Sequence, residues 1–85
     1  MIVIYSKENC PFCVQAIQLA EAKEIKHAVM KIGVDISTDD FHNMFPNART
    51  VPQIHNVDVK GNEYIGGYKE FNNWVLSKTI GAMSI

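Results

Sequence analysis

Eighty-five residues make one small domain, 1–85, with no room for a second core or a linker joining two. A composition of 47% hydrophobic and 20% charged residues, with five Gly and three Pro, excludes disorder and low-complexity repeats. Eight Lys and Arg against nine Asp and Glu give a net charge of -1, and a single Arg offers no basic patch for a run of phosphates, which argues against nucleic acid. The apolar opening, Met1 to Tyr5, is far below the ~20 residues of a membrane span, and no charged region with an apolar run of about 7 to 15 residues follows it, so a soluble, cytoplasmic protein with no membrane partner is expected. Two cysteines in such a chain point to redox or metal chemistry rather than a structural staple.

Ile2-Val3-Ile4-Tyr5 is β-branched and aromatic and meets polar Ser6-Lys7-Glu8-Asn9, which predicts a short buried strand and its loop. From Pro11 onward, Cys13, Ala16, Ile17 and Ala20 recur at helical spacing, with Gln15, Gln18, Glu21 and Lys23 for the wetter side: an amphipathic helix. Ala28 to Val34 predicts a second strand. Ser37-Thr38-Asp39-Asp40 supplies N-cap candidates for a second helix carrying Phe41, Met44 and Phe45, kept short by Pro46. Val51 to Val57 and Val59 to Ile65 predict two more strands, with a tight turn at Lys60-Gly61-Asn62. Gly66-Gly67 breaks the extended run, and Phe71, Trp74, Val75 and Lys78 mark a last helix with Gly81 as its C-cap. The order is β-α-β-α-β-β-α. A crossover helix makes the first two strands parallel and a short turn makes the last two antiparallel, so an α/β fold is expected, a four-stranded mixed sheet with helices on both faces.

Cys10-Pro11-Phe12-Cys13 falls where the first strand gives way to the first helix. Pro11 at the first helical position makes Cys10 the N-cap, where its sulfur can accept unpaired N–H groups of the first turn. At i and i+3 the two Cβ atoms lie about 5 to 6 Å apart, close enough for a reversible disulfide. Lowering a thiol pKa from ~8.5 to ~5 takes about 4.8 kcal/mol, whereas a helix terminus supplies ~0.3 to 2. The supplements available are N–H···S bonds from Phe12 and Cys13 and the ammonium of Lys7. Cys13, a turn deeper on the apolar face, lacks them, so Cys10 is expected to attack and Cys13 to resolve. Zinc would need two further ligands, and His27, His42 and His55 do not stand at ligand spacing. No role is assigned to these three.

Two other segments are ambiguous taken singly. In Thr50-Val51-Pro52-Gln53-Ile54 the proline can simply open a strand, or a cis bond before it can turn the Val51 N–H and C=O toward the sulfur to pair with an extended thiol peptide. In Gly66-Gly67-Tyr68-Lys69-Glu70 a turn is followed either by an ordinary capped helix with a first-turn acid or by a helix N-terminus that binds a carboxylate. Together with Cys10-Pro11-Phe12-Cys13, in this order and at these separations, they resemble a dithiol glutaredoxin over essentially the whole chain. The stretch GGYKEFNNWV, Gly66 to Val75, is similar to that of small bacterial glutaredoxins that reduce ribonucleotide reductase.

That resemblance implies a thioredoxin fold, a cis Pro52, and glutathione, as reductant and co-substrate, lying in a groove beside Cys10, with no metal. It implies that Lys7 and Phe12 line the groove, that the Val51 backbone pairs with the cysteinyl part of glutathione and that Thr50 also contacts the tripeptide. Gly67, Tyr68, Lys69 and Glu70 would hold the γ-glutamyl end. Phe12 stands where the family usually has Tyr, and Lys69-Glu70 where Ser or Thr followed by Asp is commoner. The Pro52 to Gly66 hairpin looks longer, and the second helix shorter, than in the bacterial relatives. The implied activity is reduction of protein disulfides and glutathione mixed disulfides by a monomer, with ribonucleotide reductase, and so deoxyribonucleotide synthesis, among its clients. The alternatives are a redoxin reduced by thioredoxin reductase, and an iron-sulfur cluster-binding glutaredoxin, which Pro11 disfavours because cluster-binding relatives more often carry Gly after the first cysteine.

Overall fold

The computed structural model describes residues 1–83, with side chains through Lys78. Its elements follow the expected order: β1 (Ile2–Ser6), α1 (Pro11–Ala22), β2 (His27–Lys31), α2 (Thr38–Met44), β3 (Gln53–Asp58), β4 (Gly61–Gly66) and α3 (Tyr68–Met83). The strands form one mixed sheet in the order β2-β1-β3-β4. β1 is parallel to β2 and antiparallel to β3, which is antiparallel to β4.

The period-two alternation of β1 divides the core between the two faces of the sheet. Ile2 and Ile4 meet Ala16 and Ala20 of α1, Ile54 of β3, and Phe71 and Val75 of α3. Val3 and Tyr5 face the other way, where Tyr5, Ile32 and Phe41 of α2 gather with Phe45 and Val51 packed around them. Helices therefore cover both faces. Ala16 and Ala20 have no exposed surface, and side chains this small let α1 lie close to the sheet. Phe71, also fully buried, supplies bulk from α3 beside these two alanines. α2 begins as the sequence predicts, with the Ser37 hydroxyl accepting the Asp40 N–H at 3.0 Å and Asp39 and Asp40 in the first turn. It ends at Met44, with Phe45 as C-cap just before Pro46.

Four boundaries differ from the sequence reading. β2 stops at Lys31 rather than Val34, because the chain reverses through Gly33, whose φ of +91° suits glycine. The Lys31 carbonyl accepts the Val34 and Asp35 N–H groups, and the Asp35 carboxylate accepts the Lys31 N–H at 2.9 Å. β3 starts at Gln53, after Pro52, which has no N–H to give a ladder. The hairpin turns at Val59-Lys60, ahead of the predicted triplet, because Asp58 Oδ1 accepts the Lys60 N–H at 2.7 Å and Gly61, at φ +127°, already opens β4. α3 runs on to Met83, so Gly81 lies inside it. A helical glycine costs about 1 kcal/mol relative to Ala, too little by itself to end a helix.

His55 of β3 is buried with its ring edge-on to Tyr5, the centroids 5.3 Å apart, and burial lowers its pKa. The unfolded chain, with an ordinary histidine pKa of about 6.5, then binds this proton more readily than the native state. The contribution is complete above about pH 6.5 and is lost as pH falls through the lower folded value. The urea midpoint is expected to drop on acidification from about pH 7.5 to 5, and His55→Phe, which keeps a ring there but cannot titrate, is expected to flatten that slope.

Candidate active site

Sheet register gathers the site. The antiparallel partner of Tyr5 is Gln53 and that of Gly66 is Ile54, so the exit of β1, the entry of β3 and the exit of β4 share one end of the sheet. The Cys10 loop, the Val51-Pro52 bond and the start of α3 at Gly67 all follow from those strand ends.

Cys10 has extended backbone, φ -116° and ψ 99°, and is the N-cap of α1 with Pro11 at the helix start. Its Sγ accepts the Cys13 N–H at 3.2 Å. The Phe12 N–H, a second donor expected from sequence, makes no such bond among the described residues, because the sulfur is aimed at the N3 position of the helix. Cys10 and Cys13 are joined as a disulfide, their Cα atoms 5.2 Å apart. Their surroundings differ sharply: Cys13 is 2% exposed against the buried face of α1, whereas Cys10 is half-buried at the surface. An outside reactant meets Cys10 first. Negative charge left there on reduction is favoured by the aligned peptide dipoles of α1 and by the N–H that already points at the sulfur.

The remaining walls come from far along the chain. The Val51-Pro52 peptide is cis, as the family resemblance implies, and the Val51 carbonyl oxygen lies 3.6 Å from Cys10 Sγ. Lys7 lies between two recesses. One, of about 670 Å³, it shares with Cys10, Pro11 and Cys13; the other, of about 200 Å³, it shares with Thr50 and Val51. On the far side of Cys10, Phe12 is 58% exposed, and its ring stacks on Tyr68 with centroids 6.1 Å apart. Gly67 approaches both neighbours closely: a Cβ there would stand 3.6 Å from the Pro52 carbonyl and 3.3 Å from Glu70 Oε1. Glu70 reaches back to accept the Gly67 N–H at 2.8 Å, one half of a capping box. Lys69 is exposed on the first turn of α3.

The structure thus brings Lys7, Thr50 and Val51 to one cavity, Phe12 and Tyr68 to one lip, and Pro52, Gly67 and Glu70 to one corner. Sequence reasoning missed Arg49, which lines the smaller cavity along with Lys7, so that two cations and no acid are among its lining residues. Its place beside Thr50 was the available signal. It also missed the exposed ion pair of Glu8 and Lys31 along the Cys10 recess, which lowers the Glu8 pKa and raises that of Lys31. The three histidines are dispersed, His27 on β2, His42 on α2 and His55 on β3. Among the described residues no three His, Cys, Asp or Glu side chains gather as metal ligands, and no described helix is long and apolar enough to cross a membrane.

Comparison with known proteins agrees with this geometry. The sequence profile of the glutaredoxin family matches residues 2–65. No curated protein matches the sequence. The fold superposes on the solution structure of a glutaredoxin from Brucella melitensis with a TM-score of 0.70 at 19% identity, covering 96% of this chain and 85% of that one. The crystal structure of glutaredoxin 1 from Francisella tularensis complexed with cacodylate gives 0.67 at 25% identity, with 94% and 95% covered. The trimeric glutathione transferase TDR1 from Leishmania gives 0.67 at 16% identity, with 87% of this chain and 17% of that one covered. The fold is thioredoxin-like, and the chain belongs to the glutaredoxin family of thiol-disulfide oxidoreductases, which use glutathione as reductant.

Proposed function

We propose that this chain reduces protein disulfides and glutathione mixed disulfides at the expense of glutathione, with Cys10 as the attacking thiolate and Cys13 as the resolving thiol. The observation that carries this reading is the asymmetric pair: one sulfur capped by a helix N–H at the surface, the other 2% exposed one turn deeper. Cys10 attacks one sulfur of the client disulfide, forming a mixed disulfide and releasing the other client sulfur as a thiolate that takes a proton from water. Cys13 then attacks Cys10 Sγ, expelling the second client thiol and leaving the Cys10–Cys13 disulfide. Two glutathione molecules return it to the dithiol in two exchanges and leave as glutathione disulfide, so two electrons pass from glutathione to client. Ribonucleotide reductase is proposed as one such client, on the likeness of Gly66 to Val75 to its bacterial reductants.

The walls around Cys10 suit the tripeptide. Lys7 and the Val51 backbone flank the sulfur, with Thr50 beside them, and the absence of any acid from the cavity they share with Arg49 favours a carboxylate. Phe12 and Tyr68 offer a flat apolar lip. Pro52 fixes the backbone turn that presents Val51. Gly67, Tyr68, Lys69 and Glu70 stand where the γ-glutamyl end would lie. In the unliganded chain Glu70 holds the Gly67 N–H, a bond it can exchange for the glutathione amine when the ligand carboxylate takes its place. A monomer in the cytoplasm is the form we propose.

Two measurements test the assignment. After reduction, iodoacetamide at limiting dose is expected to label Cys10 at least tenfold faster than Cys13, read by peptide mass spectrometry; equal labelling would contradict the division of roles. In a glutathione-coupled assay, Cys10→Ser is expected to abolish turnover of a glutathione mixed disulfide and of a protein disulfide. Cys13→Ser is expected to keep the first and lose the second.

A further inference from the structure

Val51 presents two backbone groups beside Cys10. Its carbonyl oxygen lies 3.6 Å from Cys10 Sγ, and its N–H makes no hydrogen bond among the described residues. No strand ladder orients this stretch, because β3 begins only at Gln53. The hold comes from behind. Gln53, 4% exposed, donates from its side-chain amide to the Thr50 carbonyl at 2.9 Å and accepts from the Tyr64 hydroxyl. A carbonyl oxygen can only accept, so the NH2 end of that amide must face Thr50 and its oxygen must face Tyr64, whose hydroxyl then donates. The bonds therefore run in one direction, from Tyr64 of β4 through Gln53 of β3 to the Thr50 carbonyl.

The Thr50-Val51 peptide is trans, and in a planar trans peptide the C=O and the following N–H point in opposite directions. A bond that holds the Thr50 carbonyl toward Gln53 therefore turns the Val51 N–H away from Gln53. The linings of two recesses agree. Gln53 and Tyr64 line an open recess of about 800 Å³ on the α2 face, which Val51 does not line. Val51 lines the smaller cavity with Lys7, which Gln53 and Tyr64 do not, and Thr50 borders both. We infer that Gln53 and Tyr64 are positioning residues, which fix the Thr50-Val51 peptide so that the Val51 N–H is presented to a carbonyl in the cysteinyl part of glutathione. Neither side chain touches the sulfur. A buried amide with both ends paired resists rotation, because turning it would leave the Thr50 carbonyl and its own NH2 without partners. This rests on the proposed function in taking glutathione as the molecule that pairs with Val51.

Kinetics separate positioning from general disturbance. Gln53→Met keeps the length and bulk of the side chain but can make neither bond. With a mixed disulfide of glutathione and a cysteine peptide as substrate, it is expected to raise KM about three- to tenfold, the loss of one oriented hydrogen bond, while kcat and the iodoacetamide labelling rate of Cys10 stay within about twofold of the unmutated chain. Tyr64→Phe, at a position 61% exposed, keeps the ring and removes only the hydroxyl, and is expected to raise KM about two- to threefold. Should Gln53→Met not fold, Tyr64→Phe decides alone. An unchanged KM would overturn the inference, and so would a fall in Cys10 labelling that matches the loss of turnover, which marks a disturbed site rather than a misdirected N–H. NMR of the unliganded chain supplies a readout independent of activity: the Val51 amide signal is expected to move in both variants while that of Cys13, which reports the bond to Cys10 Sγ, stays in place. A Val51 signal that does not move would also overturn the inference. A chain whose Val51 signal responds to Gln53→Met but which fails to reduce a glutathione mixed disulfide would refute the function proposed above and leave the hold of Gln53 on this peptide standing.

Discussion

The bond from the Cys13 N–H to Cys10 Sγ is the contact on which the proposed chemistry rests, because it ties the sulfur to the helix and favours negative charge there. A helix terminus contributes only ~0.3 to 2 kcal/mol to an anion beside it, so the direct bond and the placing of neighbouring groups carry much of the remainder. That placing is a property of the sheet. Because β1 lies between β2 and β3, the loop leaving it is flanked on one side by Lys31 and on the other by Val51, 41 residues away from Cys10. A slip of one residue in the pairing of β1 with β3 would turn Ile2 and Ile4 away from α1 and would also carry Val51 away from the sulfur. Packing and chemistry are thus set by the same register.

The first helix shows how closely stability and function are joined. Cys13, Ala16 and Ala20 form its buried face, so the helix that presents Cys10 seats itself with the second cysteine and two alanines. Small residues keep α1 near the sheet, and Phe71 and Val75 of α3 fill what they leave. The second cysteine is buried for packing reasons, and that burial produces the difference in access between the two sulfurs.

Local patterns made the fold legible, and long-range register hid part of the site. The β-branched run at Ile2 to Tyr5, the helical spacing from Cys13 to Ala20, the Ser37 cap and the Pro46 stop all act within a few residues, and the structure keeps each of them. The turn through Gly33 was missed because Ala28 to Val34 reads as one apolar run, and the Asp35 carboxylate that folds back on Lys31 lies outside it. The hairpin was placed late because Asp58 outweighs the Gly61-Asn62 pair as the turn former. Cys10-Pro11-Phe12-Cys13 could be read from sequence, since its meaning depends only on the strand-to-helix junction. Arg49 has only its place beside Thr50 as a local signal, and it joins Lys7 in lining one cavity because β3 pairs with β1. The capping role of Glu70 is a three-residue relation to Gly67 and was within reach, but an acid in a first turn has two uses that sequence does not separate.

The open recess on the α2 face has the same origin as the shortness of α2. Pro46 ends that helix after seven residues, roughly 10 Å of length, whereas β3 and β4 each run for six residues, roughly 20 Å. A helix of that length covers Tyr5 and Ile32 but stops short of the hairpin, where Phe45, the C-cap of α2, is the ring neighbour of His55 and Tyr64. A longer helix would close this face and bury it in apolar contact. Pro46 therefore leaves an open surface beside Ala48, Arg49 and Thr50, the residues that also line the cavity next to Lys7 and Val51, so the stop that shortens α2 also shapes the approach to that cavity.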